Sequence, residues 1–205
     1  HALVHGSYDR AKALLLQYRD KLDLLAKEHA NRLVSAEANV TAEEFTRVVP
    51  AAIASWTHLD LLINNAGVLN TGEGQEDFLN SFHINSVAPF LLTKALLPLL
   101  KKAKSPKAVH ITSLMGSISD NSSGGYYAYR SSKAALNMIN KSLAIDHPWL
   151  ATIVIHPGWV KTDMGGVNAP ISKTDSSSGM IDVINKISAK NSGQFFDFKG
   201  RELPW

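Results

Sequence analysis

The chain has 205 residues, 45% apolar and 19% charged, which is the balance of an ordinary globular protein and excludes a disordered one. It has no cysteine, which excludes disulfide frameworks, thiolate metal sites and thiol nucleophiles and makes a cytoplasmic location the expectation. The net charge of +3 is scattered and no apolar run approaches the roughly 20 residues that span a bilayer, so neither nucleic acid nor membrane is expected as a partner.

In chain order, His1 to Gly6 is a short apolar run closed by glycine and reads as a first strand. From Asp9 the period becomes helical, with Ala11, Leu14, Leu15, Tyr18, Leu22 and Leu25 recurring to about His29. Leu33 to Val40 is a second, weaker strand. Thr41, with Glu44 three residues on, has the form of a capping box for the next helix. Leu59 to Asn65 is an apolar run without alternation, the pattern of a strand buried on both faces. Glu76 to Ala103 is helical in period, and Pro89 and Pro98 are expected to interrupt it. Lys107 to Ser113 is a strand and Tyr126 to about Asp146 a helix. Ala151 to His156 is another two-sided strand, followed by the Pro157-Gly158 break. A short helix near Ser177 to Ala189 and a closing Phe-Phe-Asp-Phe run complete the chain.

Alternating strands and helices predict an α/β fold, a doubly wound parallel sheet. No linker divides the sequence, so residues 1–205 are expected to form a single domain. In such folds ligands bind beyond the carboxyl ends of the strands. Three features fall there: Asn64 to Gly67, Ser113, and Pro157-Gly158.

The helix after Ser113 carries Tyr129 and Lys133 one turn apart on one face. A phenol titrates near pH 10 and is a poor acid–base group at neutrality. An ammonium within about 4–6 Å favours the phenolate and lowers that value. Ser113 is placed to hydrogen-bond the oxygen that would exchange the proton. Ser117 and Ser119 are rivals for this role, but Ser113 ends a strand. Taken alone, Tyr-x-x-x-Lys is equally the pattern of an ordinary surface pair. Trp159 either borders a substrate or covers the edge of the core.

The combination resembles the short-chain dehydrogenase/reductase family. The matching residues are Asn64-Asn65-Ala66-Gly67 after a strand, Asn85 in the next helix, and Ser113 in Ile-Thr-Ser. They continue with Tyr129-Arg-Ser-Ser-Lys133 and Pro157-Gly158-Trp-Val160-Lys-Thr162. The C-terminal portion is most similar to the carbonyl-reductase-like and C-factor-like branch. The resemblance implies a Rossmann-type fold and hydride transfer between NAD or NADP and a small-molecule carbonyl or alcohol. It implies catalytic roles for Asn85, Ser113, Tyr129 and Lys133. Tyr129 would exchange the proton, and Lys133 would lower its pKa and hold the nicotinamide ribose. Ser113 would bind the carbonyl, and Asn85 would hold a water linking Lys133 to solvent. Cofactor contacts are implied for Asn65, Ala66, Gly67, Pro157, Gly158, Val160 and Thr162, besides Tyr129 and Lys133. A homodimer or homotetramer is implied as well. The alternative is a catalytically impaired nucleotide-binding regulatory or signalling protein on the same scaffold.

The sequence departs from the family near its start. Gly6 and Ser7 open the glycine-rich phosphate turn, but Tyr8-Asp9-Arg10 follows and no glycine occurs before Gly67. Either the loop is lost, or part of the first βαβ unit is missing after Ser7; the second is the expectation. Asn39 and Val40 stand where the family more often has Asp-Val against the adenine. NAD and NADP are told apart in these same regions, so the sequence does not choose between them.

Overall fold

The computed structural model describes residues 55–205. The strands and helices read over residues 1–54 lie outside them, as do Gly6, Ser7, Asn39 and Val40 and the join after Ser7. From the carboxyl end of that segment the order is β1 (Leu61–Asn64), α1 (Gln75–Phe82), a π-helical turn (His83–Val87) and α2 (Ala88–Leu100). There follow β2 (Lys107–Ile111), a 3-10 turn (Leu114–Gly116), α3 (Tyr127–Asp146) and β3 (Ala151–His156). The chain closes with α4 (Lys173–Lys186), a 3-10 turn (Ala189–Asn191) and β4 (Phe195–Asp197).

The four strands form one sheet in the order β1-β2-β3-β4, every pair parallel. Parallel neighbours need crossovers, and α1–α2, α3 and α4 supply them. The strands are apolar on both faces because both faces are covered. On one face Leu92, Leu96 and Leu100 of α2 pack on Leu62 and Ala108, while Leu136 of α3 packs on Val154 and Phe195. On the other, Val183 and Ile184 of α4, with Ile187, meet Val109, Ile153, Ile155 and Phe196. Val109 and Ile153 are fully buried and their neighbours Ala108 and Val154 equally so, which is why no alternation shows in the sequence. Each fully buried Val, Leu, Ile or Phe among them contributes about 1.5–3 kcal/mol through burial.

Three expectations are corrected. Pro89 and Pro98 do not interrupt the helix. Pro98 lies within α2, and Pro89 lies just after the π-helical turn, with the helical run continuing through both. The break in regularity is the π-helical turn just before Pro89, in which Ala88 N–H donates to His83 O. The last long helix begins at Lys173, not near Ser177, because Ser172 caps it by accepting from Asp175 N–H. The helical run Gln75–Leu100 is, by length and composition alone, long and apolar enough to cross a membrane, which the sequence did not lead one to expect. Its apolar residues Leu92, Leu96 and Leu100 are instead buried against the sheet.

All strands point the same way, so Asn64, Ser113 and Pro157-Gly158 meet at one edge of the sheet.

Candidate active site

Ser113 lies just beyond β2, where Thr112 N–H still donates to Ile155 O at 3.0 Å. It is extended (φ −143°, ψ 149°) and caps the Leu114–Gly116 turn, its hydroxyl accepting from Met115 N–H at 3.2 Å. The turn packs directly on α3. A Cβ on Gly116 would stand 2.9 Å from both the carbonyl carbon and the Cβ of Lys133, so only glycine allows this approach. The segment bearing Ser113 is thereby seated on the helix bearing Tyr129 and Lys133.

Tyr129 stands in the first turn of α3 and is 7% exposed. Burial raises its phenol above the ordinary value, and a hydrogen bond with the Ser113 side chain opposes this. Lys133 is buried one turn on. Its Nζ donates to Ile111 O at 2.9 Å and lies 5.9 Å from the centre of the Tyr129 ring. Burial lowers its pKa to about 8. The net direction at Tyr129 is therefore opposite to the one that spacing alone predicts. Desolvation of the phenolate outweighs the hydrogen bond.

Asn85 sits in the π-helical turn, fully buried. Its Oδ1 accepts from Val68 N–H at 2.9 Å, and its Nδ2 donates to Val68 O and to Ser132 Oγ, both at 3.0 Å. It thus ties the segment after β1 to α3. Gly67 lies over this junction: a Cβ there would be 3.3 Å from both Asn85 Oδ1 and Lys133 Nζ. Asn65 and Ala66 are exposed at the end of β1.

Beyond β3, Gly158 adopts φ 82°, and a Cβ there would meet Ile171 Cδ1 at 2.3 Å. Val160 bridges Ile171, and Thr162 Oγ1 accepts from Gly165 N–H at 3.0 Å. These bonds hold the Pro157–Thr162 segment at the same edge as Ser113. Trp159 is 57% exposed, with its indole N–H donating to Gly165 O at 2.7 Å, so it does not cover the core. Of the rival serines, Ser117 accepts from Asp120 N–H and Ser119 is exposed; Ser113 is the one whose own turn is seated on α3 at Lys133.

Two features escaped the sequence reading. Arg130, inside the Tyr-x-x-x-Lys motif, donates to Gly124 O and Gly125 O, to Met115 O and to Ser123 Oγ. A buried polar chain also crosses the sheet below the site. Asn64 Nδ2 reaches Thr93 Oγ1 and His110 Nδ1, both at 3.1 Å, and Thr152 Oγ1 donates to Asn140 Oδ1 at 2.7 Å. His110 is fully buried and its pKa falls to about 4, first through desolvation and then through Lys133. The available signal was His110 and Thr152, polar residues at strand positions whose neighbours are apolar.

Comparisons with known proteins identify the family. A family model described as short chain dehydrogenase matches residues 6–170. The C-signal protein of Myxococcus xanthus is 45% identical over 154 residues, 72% of this chain and 93% of that protein. The short-chain dehydrogenase srdF of Neurospora crassa is 32% identical over 84% of this chain and 76% of its own. Among solved structures, the carbonyl reductase Sniffer of D. melanogaster superposes with a TM-score of 0.77 at 35% identity, covering 91% of this chain and 83% of that one. A carbonyl reductase from chicken fatty liver, solved with NADPH bound, gives 0.77 at 32% identity, covering 91% and 82%. The chain belongs to the short-chain dehydrogenases, a family of NAD(P)-dependent oxidoreductases.

Proposed function

We propose that the protein transfers hydride between NAD or NADP and a small-molecule carbonyl/alcohol pair, with Tyr129 exchanging the proton. The observation that carries this reading is the convergence of buried Ser113, Tyr129 and Lys133 at one strand end, with the Lys133 ammonium 5.9 Å from the Tyr129 ring. When bound, the nicotinamide cofactor supplies the hydride. The residues at this edge suit such a group. Gly67 lacks a side chain where Lys133 and Asn85 converge, and Asn65 and Ala66 are exposed beside it. Lys133 would hold the ribose hydroxyls, since an ammonium has three donors and one goes to Ile111 O. Val160 and Thr162, on the Pro157-Gly158 turn, would border the nicotinamide.

In the reducing direction Ser113 Oγ donates to the substrate carbonyl oxygen and orients it. The Tyr129 proton passes to that oxygen as the new C–H bond forms, leaving an alcohol and a phenolate. Lys133 stabilises the phenolate, and reprotonation from solvent restores the phenol. Asn85 would hold a water on that route. Pro89 has no N–H to offer the Asn85 carbonyl, the partner a regular helix would provide.

The test is turnover of aldehydes and ketones with NADPH and with NADH, followed by loss of the reduced cofactor. Tyr129→Phe is expected to lower kcat by about 10²–10⁴-fold with an unchanged circular dichroism spectrum. Undiminished turnover in that variant would sink the assignment.

A further inference from the structure

We propose that Arg130 is a positioning residue: its guanidinium clamps the loop 117–126 and the Ser113 turn to the first turn of α3, and so sets the alignment of Ser113 with Tyr129. The inference rests on the catalytic reading of that pair.

The alignment needs a device. Ser113 and Tyr129 are joined by a Ser/Gly-rich loop whose exposed tip, Ser119 to Gly124, buries no side chain. Lengthening such a loop costs little entropy, but it leaves the ends loosely specified. Tyr129 also lies in the first turn of its helix, where ends fray. That helix lacks the usual remedy: its cap residue is Tyr126, which makes no side-chain capping bond.

Arg130 answers both problems. Gly124, Gly125 and Tyr126 are successive left-handed residues, with φ of 64°, 65° and 50°. This turn presents the carbonyls of Gly124 and Gly125 to one donor, and Arg130 Nε lies 3.1 Å from each. Nη2 donates to Ser123 Oγ at 2.8 Å, and Nη1 to Met115 O at 3.4 Å. Met115 is the residue whose N–H donates to Ser113 Oγ. One rigid fork therefore holds the entry to α3, the loop before it and the turn that fixes the Ser113 hydroxyl. A planar guanidinium can serve these directions together, whereas a lysine ammonium is a single point.

The experiment compares the full chain with its Arg130→Met and Arg130→Lys variants, with Tyr129→Phe as control. Three quantities are read: hydrogen exchange of the 117–126 amides, kcat and KM separately, and the pH dependence of kcat/KM. In Arg130→Met, exchange in 117–126 is expected to speed up and kcat to fall roughly ten- to a hundredfold, the scale of a small misplacement of reacting groups. NADPH affinity, measured by fluorescence, stays near the wild-type value. The basic limb of the pH profile moves, because the surroundings of the buried Tyr129 phenol change when the Ser113 turn shifts. Arg130→Lys recovers part of kcat. Wild-type kcat and an unmoved pH profile in Arg130→Met would overturn the proposal, even with a lower melting temperature. Exchange is read without turnover, so unchanged protection of 117–126 overturns the clamp whatever the activity. An active Tyr129→Phe would instead overturn the catalytic reading beneath it.

Discussion

Lys133 is a charge kept where water barely reaches, at 4% exposure, and its pKa falls from 10.5 to about 8. The folded protein thus binds this proton more weakly than the unfolded chain. Below about pH 8 both states are protonated and the full penalty is present. Between about pH 8 and 10.5 the unfolded chain holds more protons, so stability rises with pH until the penalty is gone. The shift corresponds to a cost on the order of 3 kcal/mol near neutrality. Lys133→Met removes the charge but leaves Ile111 O without its partner, which returns about 1–3 kcal/mol of the gain. The variant is expected to lose activity while matching or exceeding wild-type stability in urea at pH 7, with that margin shrinking by pH 10. Clear destabilisation at pH 7 would show that the buried ammonium is a structural asset. The expected pattern is that of an active site maintained at the expense of the fold.

Among the elements, the contact between the Leu114–Gly116 turn and α3 determines whether the site assembles. Gly116→Ala would place a methyl group 2.9 Å from Lys133 backbone and Cβ atoms, which cannot swing aside as a side-chain tip would. The turn must lift, costing about 1–3 kcal/mol, and Ser113 lifts with it. Lower kcat together with a lower urea midpoint is the expected result; wild-type values for both would mean that the helix yields instead. What the sequence made legible follows the same division. β3 reads directly as Ala151–His156, because a strand covered on both faces is an unbroken apolar run between turn residues. The meeting of Ser113, Tyr129 and Lys133 was legible because Ser113 ends a strand and the other two stand one turn apart on the next helix. The π-helical turn was not, since its period differs from the α-helical one by a single residue. The start of α4 was hidden because its first turn, Lys173 to Ser176, is polar, and only the Ser172 cap marks it. Arg130 was invisible for another reason: its partners are mostly backbone carbonyls, which carry no residue signature.

At the scale of the molecule, α2 and α3 present an outward groove lined by Phe90, Met138, Ile139 and Leu143, flanked by Lys94 and Asp146. Met138 is 67% exposed, and Ile145 on the same helix 70%. Neither faces the sheet, because α3 turns Leu136 toward it. A homodimer or homotetramer is what the family resemblance implies, and in such an assembly a second copy of the chain would cover this groove. An isologous contact sets the patch against itself, and charges of both signs at its border suit that arrangement. The contact would also support the helix that carries Tyr129 and Lys133, so assembly and activity share an element. Met138→Glu brings two like charges together near such an axis, which costs far more in a desolvated interface than on an open surface. Light scattering is expected to give half the wild-type mass for this variant, with a melting temperature that no longer depends on protein concentration. If the wild-type chain already scatters as a monomer, or if Met138→Glu leaves a larger assembly intact, this face is not the interface, and the exposed Met138 and Ile145 require another partner.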